Sequence, residues 1–406
     1  MPIKSTRPLD LYITANSPGE IAGWVEPVVR DVRARSANCR ITLVIVPCPY
    51  ASGAEVSLGE SIEGVDRCIR IGHIGELSEI RSEGRRLVLH LGGDYFFSVY
   101  LSRRLRATLW GYAKRPRWAR FVDRFFVPDT ASEQCFALLN FPRERYERVG
   151  HLALDSVTLR ETEEETRESL GLARDEPVLV FLSGSRPLEY CEGIPFFAKI
   201  ASLTLDRFPD HRVFFPLAPT VREDLLRQAL REAGIAWEGT ERVRAIDLGK
   251  GRRAAVLRDH TLEVLNCAKL AVAVPGTNNL QAAALYIPFL MVLPLDRADE
   301  YPLDGLPGIL PLWVPGVRWL KKRYILRLNE KTPYLCLPNR MAGKVIAPEM
   351  RGLFKAEDVA AQVVELLGSP ERLKEISRAF WELTHERGAS VKIAERITSW
   401  AEREGD

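Results

Sequence analysis

Short apolar runs alternate with longer stretches of helical period along nearly the whole chain. In the first half the runs are LDLYITA, ITLVIVP, RLVLHLG, ATLWGY and RFFVPD; in the second they are PVLVFLSG, HRVFFPLAP, RAIDLG, KLAVAVPG and PFLMVLPL. Their β-branched and aromatic content, with helical patterns between them, predicts parallel strands joined by crossover helices. The expected fold class is α/β, with two Rossmann-like doubly wound domains facing a cleft. A polar, charge-dense segment, LRETEEETRESLGLARDEP at 159–177, separates the halves. It sets the expected domains at 1–160 and 175–355, and the helical stretch 356–406 is expected to pack back on them.

Ligands of such sheets bind beyond the carboxyl ends of the strands, so the strand-to-helix loops hold the candidate chemistry. ITANSPGEIAGW (13–24) carries Glu20 between two glycines and lacks the GxGxxG spacing of a dinucleotide site. LHLGGDYFF (89–97) puts Asp94 behind a buried strand and two glycines. A carboxylate there serves either as a general base toward a sugar hydroxyl or as a helix N-cap. VFLSGSRPLEY (180–190) offers Gly184, Ser185 and the forked guanidinium of Arg186 to a phosphate. Its glycine spacing is not that of a Walker loop, which disfavours nucleotide hydrolysis. AVAVPGTNNLQAAAL (271–285) runs from a buried strand through Gly276, Thr277, Asn278 and Asn279 into a helix carrying Gln281. Thr and Asn cap helix starts, and the same free N–H groups bind anions, so this turn either caps itself or holds a phosphate. Two such helix starts in one domain would suit a diphosphate.

Length and composition bound the rest. The chain has 406 residues, which favours two domains, and it is 46% hydrophobic and 27% charged. Its 57 basic and 54 acidic residues leave a net charge of +3, which points neither to nor away from nucleic acid. No apolar run approaches the roughly 18 residues of a membrane span, and the N-terminal stretch lacks a signal-peptide core. Seven scattered cysteines without a CxxC pair fit a reducing cytoplasm. With six dispersed histidines and no HExxH, no metal site is expected. Charge is nonetheless concentrated locally. LSRRLRATLWGYAKRPRWARFVDR (101–124) holds eight basic residues and one acid, with Trp110, Tyr112 and Trp118 among them, and VPGVRWLKKRYILRL (314–328) has the same character. Such mixtures suit an anionic membrane surface or lipid, with nucleic-acid binding or a solvated face as rival readings.

These loops resemble the lipid-A-disaccharide synthase family, bacterial glycosyltransferases of the two-Rossmann-domain GT-B type. The likeness covers nearly the whole chain. ITANSPGE stands where the family has Gly-Glu-x-Ser-Gly-Asp, and WGYAKRPRWARFVDRFFVPDTASEQCF resembles its Trp-x-Trp stretch. RVGHLALDSV looks like its Gly-His-x-x-x-Asp segment, LSGSRPLE its Pro-Gly-Ser-Arg loop, and PGTNNLQAAAL its Ser-Gly-Thr-x-x-Leu-Glu. The most specific match is TPYLCLPNRMAGKVIAPEM, close to the family's Leu-Pro-Asn-x-x-Ala-Gly.

The resemblance implies transfer of a diacylated glucosamine from UDP to a lipid monosaccharide phosphate, with inversion and without a metal ion or other cofactor. It places UDP on the second domain, held by Gly184, Ser185, Arg186, Gly276, Thr277, Asn278, Asn279, Gln281 and Asn339, with Arg186 also assisting departure of UDP. It implies an anionic lipid acceptor on the first domain and peripheral contact with the inner face of the cytoplasmic membrane. No nucleic-acid partner is expected, and a homodimer is compatible. Three positions depart from the pattern. Gln281 replaces a Glu that grips ribose hydroxyls, Phe97 falls where the catalytic Asp is expected, and Asn16 and Glu20 take the Glu and Asp positions of the first loop. Glu20 and Asp94 remain as candidate bases. These departures keep three alternatives open: another lipid acceptor, a UDP-sugar epimerase, or a non-catalytic nucleotide-sugar-binding protein. Extra sequence around 297–313 is expected to reshape the acceptor end.

Overall fold

The computed structural model describes residues 8–402 except 37, 48–52, 54, 73–83, 240–243, 259 and 297–315. The extra sequence around 297–313 therefore lies outside the described residues. Every apolar run named above is a strand. The chain forms two compact units, Met1–Ser156 with Glu386–Asp406, and Val157–His385.

The first unit is a seven-stranded sheet. Its strands are β1 (Leu9–Ala15), β2 (Cys39–Ile45), β3 (Arg67–Arg70), β4 (Arg85–His90), β5 (Thr108–Tyr112), β6 (Arg124–Val127) and β7 (Tyr146–Arg148). They lie in the order β3-β2-β1-β4-β5-β6-β7, all neighbours parallel. The chain therefore winds to one side of β1 and then to the other, which leaves a switch point between β1 and β4. Alternate β1 side chains feed opposite layers, as the two-residue period of a strand requires. Leu11 and Ile13 join Val28 and Val32 of the helix Glu26–Arg35, while Tyr12 joins Val99 and Phe125 on the other face.

The returning helix Ala389–Glu402 completes the first layer with Ile393, Ala394 and Ile397. Its start is clasped by Asp155. That carboxylate accepts the Gly388 and Ser390 N–H groups, both at 2.7 Å, and the Ser390 hydroxyl at 2.9 Å. Further along, Arg85 donates to the Trp400 carbonyl at 2.7 Å, and Trp400 packs edge-on against Trp110.

The second unit is an eight-stranded sheet. It contains β8 (Val178–Leu182), β9 (Arg212–Leu217), β10 (Trp237–Gly239), β11 (Arg244–Gly249), β12 (Arg252–Arg258), β13 (Ala268–Ala273), β14 (Phe289–Pro294) and β15 (Glu349–Gly352). The order is β10-β11-β12-β9-β8-β13-β14-β15, with the β10–β11 and β11–β12 pairs antiparallel at one edge and the other neighbours parallel. The switch point lies between β8 and β13. Strand β8 is buried throughout, and again it alternates: Leu179 and Phe181 face one layer, Val178, Val180 and Leu182 the other. Burial on both faces is why these strands read as unbroken apolar runs.

Below the β1–β4 switch point lies a buried polar group. The Thr14 and Ser98 hydroxyls are 2.8 Å apart, His90 Nδ1 is 2.8 Å from Ser98 Oγ, and the His90 ring stacks on Tyr95. Burial pushes the His90 imidazole down to about 3. An unfolded histidine titrates near about 6.5, so as pH falls the unfolded chain takes up the proton first. The contribution of neutral His90 is complete above about pH 6.5 and is lost progressively toward about pH 3. Urea unfolding followed by tryptophan fluorescence should show stability declining below pH 6.5 in wild type and a flatter decline in His90→Asn. Equal slopes would remove His90 as the source.

Candidate active site

The sequence-predicted residues of the first unit meet at its switch point. After β1 the chain turns at Ser17 into Pro18–Glu20, then passes through a π turn at Ile21–Val25 into Glu26–Arg35. Such turns mark departures from regular helix and are frequent at functional sites. The π turn begins directly after Glu20.

The half-buried Glu20 carboxylate ties the two loops together. It accepts the Asn16 N–H at 3.0 Å and the Gly93 N–H, so it spans from the β1 loop to the β4 loop. The fit is close: a Cβ on Gly92 would overlap the Glu20 carboxylate, which explains the first glycine of the GGD turn. Burial raises the Glu20 carboxyl above its usual value, and the bonds from Asn16, Gly93 and Ser17 oppose that rise in part. A raised carboxylate beside a strand end has the chemistry of a general base.

Asp94 is differently engaged. It is exposed and N-caps the Tyr95–Leu105 helix, its carboxylate accepting the Phe96 N–H at 2.8 Å. Phe97 lies in the first turn of the same helix, in edge contact with Phe96. Of the two acidic candidates, the geometry favours Glu20 for proton transfer and Asp94 for capping.

In the second unit the two glycine loops leave neighbouring strands. Ala273 of β13 pairs with Leu182 of β8, and the Val274 N–H continues that ladder to the Leu182 carbonyl at 3.1 Å. The loop Ser183–Arg186 and the loop Val274–Gly276 thus emerge side by side at the switch point. Two helix starts, Pro187–Leu205 and Thr277–Ala284, follow them.

The first of these starts already holds an anion, its own. The Glu189 carboxylate accepts the Ser185 N–H at 3.1 Å and the Arg186 N–H at 3.2 Å, and it pairs with the Arg186 guanidinium at 3.3 Å. Gly184 has φ +90, and a Cβ there would overlap the Glu189 carboxylate. Sequence reasoning passed over Glu189. The signal was available, because an acid three residues after the N-cap position is capping-box spacing.

The second start is arranged otherwise. Asn279 is fully buried; its carbonyl oxygen accepts the Gly276 N–H at 3.3 Å and its amide donates to the Val274 carbonyl at 3.1 Å. It shapes the turn from inside. The Thr277 and Asn278 N–H groups, by contrast, have no partner among the described residues. A Cβ on Gly276 would meet nothing within 4 Å, and its backbone is extended, so the packing around this residue does not require a glycine. Gln281 is half-buried one turn further on.

Asn339 is also fully buried, in the short helix Leu337–Ala342. Its carbonyl oxygen accepts the Ile346 and Ala347 N–H groups at 2.8 and 2.9 Å. Its amide donates to the Ala347 carbonyl and the Glu349 carboxylate at 2.8 and 2.9 Å. With all four bonds made internally, Asn339 braces the loop before β15 and has no polar atom left for a ligand.

The two basic-aromatic stretches divide by burial. Trp110 and Tyr112 are core residues of β5, whereas Trp118 is exposed. Trp118 lies in tilted contact with Phe96 and Phe121, and Arg103 lies over the Phe121 ring. With Tyr100 these rings form an exposed aromatic surface. In the second stretch the helix Val317–Lys331 exposes Trp319, Leu320, Tyr324 and Leu328 among its basic residues.

Comparison with known proteins bears on the family and the fold. A family model described as lipid-A-disaccharide synthetase matches residues 118–296. The lipid-A-disaccharide synthase of Methylobacillus flagellatus is 24% identical over 91% of this chain and 92% of that protein. That of Serratia proteamaculans is 26% identical, with coverage of 97% and 99%. Among solved structures, a putative UDP-N-acetylglucosamine 2-epimerase from Listeria monocytogenes superposes with a TM-score of 0.60 at 13% identity, covering 98% of each chain. The UDP-GlcNAc 2-epimerase of Neisseria meningitidis, bound to UDP-GlcNAc, gives 0.58 at 11% identity, covering 96% of this chain and 100% of that one. At these identities the structural likeness establishes the fold, two Rossmann-like domains of the GT-B class.

Removing the Asn339 amide leaves the Ile346 and Ala347 N–H donors inside the fold without their acceptor and takes one donor from the Glu349 carboxylate. Asn339→Ala should therefore destabilise the second unit by roughly 2–4 kcal/mol, measured by urea unfolding. A loss below about 0.5 kcal/mol would show that the brace is dispensable.

Proposed function

We propose that this chain, which belongs to the lipid-A-disaccharide synthase family as a divergent member, is a glycosyltransferase. It would move an acylated glucosamine from UDP to a lipid-linked acceptor, with inversion. The observation that carries this reading is the pair of helix starts on adjacent strands β8 and β13, one with Arg186 and one with free amides. Helix N-termini and a guanidinium stabilise a departing diphosphate by fixed dipoles and charge, without a metal ion. In this reading the Thr277 and Asn278 N–H groups take phosphate oxygens, and the open space over Gly276 allows the ligand to approach the backbone. Arg186 turns to the diphosphate from Glu189, and breaking such a partly exposed ion pair costs only about 1 kcal/mol or less. Gln281 takes ribose hydroxyls by neutral hydrogen bonds. Asn279 and Asn339 hold the walls in shape.

Chemistry follows by direct displacement. Glu20 removes the proton from the acceptor hydroxyl, whose oxygen attacks the anomeric carbon. The bond from that carbon to the UDP oxygen breaks, and UDP leaves with the electron pair. Glu20 suits this role because its carboxyl is raised by burial. The exposed rings Phe96, Tyr100 and Trp118, with Arg103 close by, fit peripheral contact with an anionic membrane surface, and Trp319, Leu320 and Tyr324 give a second such face. No helix among the described residues is long and apolar enough to cross a membrane. The reading places the protein at the cytoplasmic face of that membrane.

The test is incubation with UDP-2,3-diacylglucosamine and 2,3-diacylglucosamine-1-phosphate, with mass spectrometry for the disaccharide. Product is expected; turnover of UDP-N-acetylglucosamine without an acceptor would instead favour an epimerase. Glu20→Gln should lower the transfer rate by about 10²-fold or more while UDP affinity stays within about twofold. Arg186→Ala should weaken UDP binding about tenfold or more and abolish transfer, with the unfolding transition unchanged. The wild-type rate should fall with acid at a pH above the ordinary carboxyl value of 4.5, because the base must be ionised and its carboxyl is raised. Wild-type transfer by either variant would remove that residue from the mechanism.

A further inference from the structure

Beside the Arg186 loop the second unit has a pocket that a diphosphate and a sugar do not account for. It has a volume of about 570 Å³ and lies between the Pro187–Leu205 helix and the Val317–Lys331 helix. That size falls within the range of about 300–1,000 Å³ common for small-molecule sites. Its wall is apolar: Phe196 and Phe197 come from the first helix, Leu293 and Leu295 from the end of β14 and just beyond, Ile325 and Leu328 from the second helix. Charge enters the lining at few places, and two of them, Arg186 and Glu189, belong to the anion loop itself. Val274 and Pro275, which lead into the Thr277 helix start, line the pocket too. The cavity is therefore continuous with both phosphate-binding loops. Its other landmark is Leu328, which lines it while remaining 47% exposed, on the helix that also exposes Trp319 and Tyr324.

A ligand matching this arrangement is anionic where it meets the loops and a hydrocarbon where it meets the pocket. We propose that the pocket holds an acyl chain of the nucleotide-sugar donor, entering past Leu328 while the diphosphate rests on the Arg186 and Thr277 loops. This inference rests on the glycosyltransferase reading above and adds to it the place where the donor's hydrocarbon is bound. Burial of methylenes in such a wall gives affinity that grows with chain length, which a soluble sugar nucleotide cannot draw on. The exposed face of the Val317–Lys331 helix, apolar and basic together, suits a chain that arrives from an anionic lipid surface.

Two substitutions test the pocket while leaving Arg186 and the Thr277 helix start unchanged. Gly193 lines it on the first helix, where a Cβ would make only ordinary contact with Ser183, so Gly193→Phe fills the cavity. Leu328→Glu puts a charge at the mouth, at a position exposed enough not to threaten folding. Calorimetry would compare UDP with UDP-2,3-diacylglucosamine, presented below its micellar concentration, on the full-length protein. Wild type is expected to bind the acylated donor at least about tenfold more tightly than UDP. Both variants should lose most of that advantage while their affinity for UDP stays within about twofold. Variants that keep the full advantage would overturn the pocket assignment. So would a wild type that binds UDP and the acylated donor equally, an outcome that leaves the glycosyltransferase reading standing. A wild type that binds neither would overturn both.

Discussion

A parallel strand buried on both faces must release the chain into a helix at its carboxyl end, and the first N–H groups of that helix then need acceptors. The candidate site is largely the set of answers this chain gives to that demand. Asp94 answers for the Tyr95–Leu105 helix, and Glu20 gathers the Asn16 and Gly93 amides across two loops. Glu189 answers for the Pro187–Leu205 helix. At the Thr277 helix the side chain best placed to answer, Asn279, is turned inward to the Gly276 and Val274 backbone, and the leading amides stay open. Strand ends that satisfy themselves hold the frame rigid. The end that does not keeps two N–H donors open, and the proposed diphosphate contact rests on them.

In the proposed mechanism the first unit draws its base from a displaced carboxylate. Phe97 stands where the family expects an acid, and the ring instead joins an exposed aromatic surface through Phe96. Glu20, one strand away across the switch point, is a carboxylate that the surroundings both desolvate and hold still. The polar residues beneath it, Thr14, His90 and Ser98, keep the floor hydrogen-bonded, and burial keeps His90 without charge. Proton affinity at Glu20 is thus set by burial and by backbone donors, with no neighbouring ionised histidine required.

Much of this was legible in the chain because period and punctuation are local. Ten apolar runs became strands, and the four glycine-bearing loops ended up at the two switch points, since topology leaves little choice once βαβ order is fixed. The strands that escaped notice, β3, β7, β10, β12 and β15, are short or rich in arginine and glutamate, so they lack the unbroken apolar run that marks the others. Side-chain direction was the other blind point. Asn279 and Asn339 have the composition of ligand contacts, yet both point into the fold, where carbonyls and amides consume them. Trp110 and Trp118 share one basic stretch, and only the register of β5 decides that the first is core. The apolar pocket beside Arg186 had no motif at all, because its walls come from segments far apart in sequence.

The Asp155 clasp has a consequence for how such a chain comes into being. The residues it grips, Gly388 and Ser390, leave the ribosome more than two hundred positions after Asp155 itself. Until they emerge, the layer of Val28, Val32 and Leu11 that Ile393 and Ile397 will cover has no lid. The first unit to be synthesised is therefore the last that can be finished, while the second, continuous in sequence, can close as soon as it is made. Vectorial synthesis thus leaves an apolar face waiting on the last helix, which makes the C-terminus of this chain the keystone of its beginning.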